Sequence, residues 1–270
     1  MGRLDGKVAF VTGAARGQGR AHSVRLASEG ADIIAVDICA GFESVRLTPS
    51  TPADLEETAR LVEKEGRRIV ARQADVRDLD GLQAVFDEGV RELGRIDIVV
   101  ANAGVLTCAW SWKMTPAQWH EVIDVNLTGV FHTAKVAIPT LIRQGQGGSI
   151  VMTSSVAGLY GQPFTISYTA AKHGVVGLVR GMALELAEHN IRVNSIHPTG
   201  VRTAMYTEVQ DLQALIESRQ YTIGPVFMNS LPVEVMEPED ISAVVAFLAS
   251  DESKYITGAQ VPVDAGKLVR

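Results

Sequence analysis

From Lys7 onward the chain repeats a two-part hydrophobic pattern. A short run rich in β-branched residues is followed by a longer stretch in which apolar positions return every three or four residues. The runs are KVAFVTG (from Lys7), DIIAVD (from Asp32), RRIVARQAD (from Arg67), IDIVVANAG (from Ile96), GSIVMTSS (from Gly148), IRVNSIHP (from Ile191) and AQVPVD (from Ala259). Most are continuously apolar rather than alternating, the mark of strands covered on both faces. Between them GRAHSVRLASEG, DLEETARLVEKEG, GLQAVFDEGVRELG and PEDISAVVAFLAS have helical length and spacing. Strand and helix in alternation predict right-handed crossovers and a parallel sheet between two helical layers, an α/β fold. Neither an internal repeat nor a low-complexity linker interrupts the pattern, so residues 1–270 read as one domain.

Two stretches depart from it. Residues 38–53, ICAGFESVRLTPSTPA, are long for a strand-to-helix connection, where about 2–6 residues is usual. Residues 201–237 are longer still and hold Met205, Tyr206, Tyr221, Phe227, Met228 and Met236. That aromatic and methionine content favours a lid over a disordered loop.

Composition narrows the function classes. With 46% hydrophobic residues and a formal charge of −6, the chain can bury a large core and offers no basic cluster for nucleic acid or an anionic membrane. No apolar run approaches the roughly 20 residues that span a bilayer, and MGRLDGKVAFVTG lacks the pattern of a secretory leader. Cys39 and Cys108 lack metal-ligand spacing and the six histidines are scattered. The expectation is a soluble cytoplasmic protein without a metal.

The first strand runs straight into TGAARGQG, with Gly13, Gly17 and Gly19 opening the next helix. Glycine there lets a ligand approach the main chain, and a helix N-terminus offers unpaired N–H groups to a pyrophosphate. The spacing is G-x-x-x-G-x-G rather than G-x-G-x-x-G. Asp37 ends the second strand about 20 residues on, where an acid accepts from an adenosine ribose. A 2′-phosphate would meet that carboxylate at a cost of roughly 4 kcal/mol per unit charge at about 4 Å. NAD is therefore favoured over NADP, and Ile38 beside the acid adds no compensating charge. Arg16 is the counterargument, since an arginine in this turn could meet such a phosphate. Asp37 also has a plainer reading, as a strand-end residue capping a turn.

In SYTAAKHG, Tyr168 and Lys172 fall four residues apart and so on one helical face. Together with TGAARGQG, Asp75-Val76, Asn102-Ala103-Gly104, Asn126 in DVNLTG and Ser155 in SSVAG, in this order, they make the chain resemble the short-chain dehydrogenase/reductase family over nearly its whole length. The resemblance implies a three-layer, Rossmann-type, doubly wound parallel sheet of seven strands. It also implies catalytic roles for Asn126, Ser155, Tyr168 and Lys172. Tyr168 would be general base in alcohol oxidation and general acid in reduction. Its phenol, ordinarily near 10, would be brought down by the neighbouring ammonium and by an oxidised nicotinamide. Lys172 would also hold the nicotinamide ribose. Ser155 would hold the substrate oxygen, with Ser154 as its rival, and Asn126 would order a water leading from Lys172 to solvent. Cofactor contacts would come from Gly13, Arg16, Gly17, Gln18, Gly19, Asp37, Ile38, Asp75, Val76, Asn102, Ala103, Gly104, Tyr168, Lys172, Val201 and Thr203, with Asp75 on the adenine amino group. HPTGVRT departs from the family's Pro-Gly turn, because Thr199 stands at the glycine and Gly200 follows.

The insertion after Asp37, with ARGQGR and HPTGV, resembles the actinobacterial carveol dehydrogenase group associated with the redox peptide mycofactocin. That resemblance implies an insertion lying over a poorly exchanging NAD, with electrons leaving through another carrier. Val105, Leu106, Trp110 and Tyr206 with the lid make a mostly apolar pocket wall, suited to a hydrophobic secondary alcohol such as a terpenoid. Alternatives are a 3-oxoacyl or steroid reductase of the same family, and a nucleotide-sensing protein that keeps the fold without turnover. Family members pair the long helices around Asn126 and Tyr168, which implies a homotetramer.

Overall fold

The computed structural model describes residues 2–207 and 210–270, with every side chain among them except those of Gln210, Asp211, Gln220 and Tyr221. The expected lid aromatic Tyr221 and lid positions 208–209 thus lie outside what is described.

All seven expected strands form one parallel sheet in the order β3-β2-β1-β4-β5-β6-β7. They are β1 (Val8–Thr12), β2 (Asp32–Asp37), β3 (Ile69–Gln73), β4 (Ile98–Ala101), β5 (Gly148–Thr153), β6 (Ile191–Pro198) and β7 (Gln260–Val263). The helices are α1 (Gly17–Ser28), α2 (Pro52–Lys64), α3 (Leu79–Leu93), α4 (Pro116–Ile123), α5 (Gly129–Gln144), α6 (Ile166–Glu185), α7 (Ala204–Thr207), α8 (Gln210–Glu217), α9 (Gln220–Ile223) and α10 (Pro238–Ala249).

The unbroken apolar runs are explained by two cores, one on each face. Along β1, Val8 and Phe10 enter the core shared with α3, α5 and α6, where Phe10 meets Phe86 edge-on at 5.3 Å. Ala9 and Val11 enter the opposite core, beneath α1, α2 and α10. Alternate residues of one strand therefore face different helical layers, and both must be apolar. Ala9 pairs with Ile33 of β2 on one side and Ile98 of β4 on the other. The chain winds outward in both directions from that point, and such a reversal opens a crevice at the strands' carboxyl ends.

The insertion gives way to α2 at Pro52, two residues earlier than expected, because Thr51 and Asp54 form a reciprocal capping box there. The lid's base is closed by a parallel bridge between Val201 and Met236. Its far side is tied to the C-terminal segment, where Ser230 N–H and Leu231 N–H both donate to the Ala265 carbonyl, at 3.0 and 2.9 Å. No helix among the described residues is long and apolar enough to cross a membrane.

Candidate active site

The crevice begins at the turn after β1. Gly13 and Gly17 have φ of +69° and +55°, which side chains avoid. A Cβ on Gly13 would lie 2.8 Å from the Ala103 Cα, and one on Gly19 would collide with the Gly13 carbonyl. The glycines thus bring β1, β4 and α1 into direct backbone contact. Helices α2 and α4 open with capping boxes, but α1 has neither a side-chain cap nor an acid in its first turn. Its leading N–H groups face the crevice without a protein anion. Gln18, in that first turn, also has a buried Oε1 with no hydrogen-bond partner. These are the features a dinucleotide pyrophosphate would satisfy.

Asp37 stands at the crevice's other end, 7% exposed, and its carboxylate is held by three donors. Ala15 N–H and Cys39 N–H each donate at 3.0 Å, and the Ser50 hydroxyl donates at 2.6 Å. The turn-capping reading of Asp37 is therefore correct. A carboxylate has about four acceptor positions, so one remains for a ribose hydroxyl. The Arg16 guanidinium is committed to the Thr48 carbonyl in the insertion. Asp75 pairs with Arg77 at 2.6 Å, and Val76, Ala103 and Gly104 line the floor. Asn102 joins the strand ends, donating to the Thr12 carbonyl at 3.1 Å and accepting from the Thr153 hydroxyl at 3.3 Å. Thr203 reaches back to within 3.1 Å of where a Gly17 Cβ would be. The Val201 side chain packs into the core and its main chain bridges to Met236.

Gly104 connects the crevice to the remaining candidates, for a Cβ there would lie 2.8 Å from Asn126 Oδ1 and 3.8 Å from Lys172 Nζ. Asn126 sits in a π-helical turn, Asp124–Thr128, that joins α4 to α5. Its amide accepts from Val105 N–H at 3.3 Å and donates to the Val105 and Val122 carbonyls, both at 2.9 Å. Both of its N–H groups are thereby used in clamping the main chain beside Gly104. Lys172 is 2% exposed and donates to the Thr153 carbonyl at 2.7 Å. Its Nζ lies 5.4 Å from the centre of the Tyr168 ring, so the expected side-by-side placement on α6 is present.

Their electrostatics differ from the expectation. Burial pushes the Tyr168 phenol up to about 12, opposed by a hydrogen bond from Ser155, and burial pushes the Lys172 ammonium down to about 7. Desolvation penalises both charged forms and outweighs their mutual attraction. The choice between the serines is decided by packing. The Ser154 hydroxyl turns away to the Lys172 carbonyl at 3.0 Å, leaving Ser155 to meet Tyr168.

An open parallel crevice at a chain reversal, an uncapped glycine turn and a Ser-Tyr-Lys cluster at its end match the family reading. The family model described as short chain dehydrogenase matches residues 7–214. The chain is a member of the short-chain dehydrogenase family. It is 46% identical to (−)-trans-carveol dehydrogenase of Rhodococcus erythropolis, with the whole of both chains covered. Among solved structures, carveol dehydrogenase from Mycobacterium avium in complex with NAD superposes with a TM-score of 0.95 at 50% identity over the full length of both. A short chain dehydrogenase from Mycobacterium paratuberculosis bound to NAD gives 0.96 at 51%, again over both full lengths.

Three features of this short-chain dehydrogenase were not legible beforehand. Glu121 of α4 accepts from the Glu43 N–H at 3.0 Å, from the Ser44 N–H at 2.9 Å and from the Ser44 hydroxyl, bolting the insertion across the crevice. Arg77 lies over the Phe42 ring at 5.0 Å and holds the same segment. The third is His197, fully buried behind Ser155. Their partners are remote in sequence, so spacing carried no signal. The altered turn also finds its reason here. Thr199 needs no positive φ, whereas a Cβ on Gly200 would press into the Tyr206 ring at 2.8 Å. Trp110 stacks on Trp112 at 4.7 Å and meets Phe164 edge-on at 4.8 Å, just ahead of α6.

Proposed function

We propose that this short-chain dehydrogenase is an NAD-dependent alcohol dehydrogenase interconverting a hydrophobic secondary alcohol of carveol type and its ketone. One observation carries the reading: Ser155, Tyr168 and Lys172 converge beside Gly104, at the end of a crevice whose opposite end is Asp37. The uncapped α1 N-terminus and the orphaned Gln18 Oε1 fit the pyrophosphate, Asp37 the adenosine ribose, Asp75 and Val76 the adenine, and Lys172 the nicotinamide ribose. The NAD-bound relatives support the same choice. Asp37 leaves no space for the charge of a 2′-phosphate and Arg16 is engaged elsewhere, which disfavours an NADPH-dependent 3-oxoacyl or steroid reductase.

When bound, NAD supplies the hydride acceptor and a positive ring. Ser155 holds the substrate hydroxyl, and Tyr168 takes its proton as the carbonyl forms. Bringing a phenol from about 12 to near 7 requires roughly 7 kcal/mol in favour of the phenolate. The Ser155 hydrogen bond is already counted in that value; Lys172 beside the ring would supply part of the difference, and a bound cationic ring would supply the rest. Asn126 orders the water by which the proton leaves past Lys172. Val105 lines the crevice, and Leu106, Trp110 and Tyr206 would complete an apolar wall that offers little to a charged substrate.

The insertion serves as a cover over NAD, with Glu121, Arg16 and Arg77 as its fastenings, so that electrons leave through a mycofactocin-type carrier rather than by NADH release. Phe131 and Ile142 on α5, with Ile166 and Leu184 on α6, leave apolar surface exposed on the helices through which a cytoplasmic homotetramer would pair.

The test has two stages. The nucleotide released on denaturing the purified protein should be NAD, and secondary alcohols, carveol among them, should be oxidised with an artificial acceptor. Release of NADP, or oxidation of none of the alcohols, would overturn the reading.

A further inference from the structure

His197 lies on β6 with no exposed surface, between two serines. Its Nδ1 is 2.7 Å from the Ser155 carbonyl oxygen, and its Nε2 is 2.8 Å from the Ser195 hydroxyl. A carbonyl can only accept, so Nδ1 carries the proton. In the neutral ring Nε2 then accepts from Ser195. Burial keeps the ring neutral by pushing it down to about 4, and the nearby Lys172 acts in the same direction. The tautomer is therefore fixed by the Ser155 carbonyl, with the Ser195 hydroxyl adapting to it, and the ring adds no charge beside Lys172.

The Ser155 carbonyl sits just past the end of β5, where the sheet no longer sets the backbone. Ser154 N–H makes the last interstrand bond, to Ile196 at 2.9 Å. Beyond it, φ and ψ of Ser155 (−167°, 164°) are extended, and its hydroxyl accepts from Ala157 N–H at 3.1 Å as the chain turns into a short 3₁₀ segment. The hydroxyl also points toward the Pro198 carbonyl at 3.5 Å. The Ser155 carbonyl accepts from the Gly158 N–H at 2.9 Å within the turn, and His197 is the side chain that adds a second donor from β6.

We propose that His197 is a positioning residue: its Nδ1–H fixes the Ser155 carbonyl, and through it the direction in which the Ser155 hydroxyl meets Tyr168 and the substrate oxygen. This rests on the roles given to Ser155 and Tyr168 above. A misplacement of about 1 Å at a reacting group costs on the order of 100-fold in rate. The Gly158 N–H only closes the local turn, so the bond from His197 is the one that ties this carbonyl to β6.

The experiment compares His197→Asn, whose amide N–H falls near the Nδ1 position, with His197→Gln, whose amide falls near Nε2, alongside Ser155→Ala. Oxidation of (−)-trans-carveol is measured, with cyclohexanol as the probe if wild type leaves carveol untouched. NAD affinity is measured in parallel, and the His197 tautomer is read from ¹⁵N shifts of the wild type. Expected are an Nδ1–H tautomer, H197N within about fivefold of wild-type kcat, and H197Q lower by about tenfold or more. KM and NAD affinity should be nearly unchanged in both. An Nε2–H tautomer, or H197Q as active as H197N, overturns the proposal. If Ser155→Ala keeps full activity, the role of Ser155 itself fails. If S155A is inactive while both His197 variants stay fully active, only the role of His197 fails.

Discussion

The Lys172 ammonium lies 5.4 Å from the centre of the Tyr168 ring, but its hydrogen bond goes to the Thr153 carbonyl and not to the phenol. The ammonium is thus tethered to the sheet, beside the ring but not bonded to its hydroxyl. A charge so held keeps its position when the phenol ionises, which suits stabilisation that must be present before the reaction starts.

Replacing Tyr168 with Phe removes the proton acceptor and keeps the ring. Alcohol oxidation should fall by about 10²–10⁴-fold, with NAD affinity preserved. Steady-state kinetics beside a binding titration checks this. An unaltered rate would remove Tyr168 from the mechanism.

Asp37→Ala strands three donors: Ala15 N–H, Cys39 N–H and the Ser50 hydroxyl. Each orphan costs roughly 1–3 kcal/mol where water cannot reach it, so thermal stability and NAD affinity should fall together. The preference for NAD over NADP should shrink at least tenfold as the negative charge goes. Isothermal titration with both nucleotides measures the ratio, and a constant ratio would clear Asp37 of any part in selectivity.

Glu121→Ala unfastens the insertion at Glu43 and Ser44 without touching the residues of the Ser-Tyr-Lys cluster. Contacts made after encounter govern dissociation more than association. Exchange of bound NAD against labelled NAD should accelerate about tenfold or more, with the chemical step little altered. Exchange at the wild-type rate would mean that the insertion does not gate the cofactor.

Acid should weaken the fold before any carboxylate titrates. Burial lowers His22 from 6.5 to about 3, and burial lowers His197 to about 4. Below about pH 6.5 the unfolded chain binds protons that the folded chain refuses, so stability falls as pH drops from there toward 4. Two such groups set a limiting slope of about 2.7 kcal/mol per pH unit. The Ser242 hydroxyl donates to Pro238 and so accepts from His22 Nδ1–H, a bond His22→Asn can keep. That variant should lose about half of the slope in urea titrations between pH 7 and 5. A flat wild-type profile would contradict the assignment.

Sequence was sufficient wherever function depends on local spacing. The continuous apolar runs marked the strands, because the inner ones supply side chains to two cores at once, while the edge strand β7 packs on one core only. Gly13, Gly17 and Gly19 marked the turn because glycine alone tolerates those angles and contacts there. Tyr168 and Lys172 were paired by helical period.

Tertiary structure decided whatever depends on partners far along the chain. It turned Ser154 toward Lys172 and so selected Ser155, committed Arg16 to Thr48, drew Val201 into the core, and set His197 behind the serine and Glu121 against the insertion. It also holds the Tyr168 phenol up by burial when no nucleotide is present, since neighbours in sequence reveal a nearby charge but not how much water has been removed from around it. Periodicity is a property of the chain, whereas desolvation and the orientation of a hydroxyl belong to the packed whole.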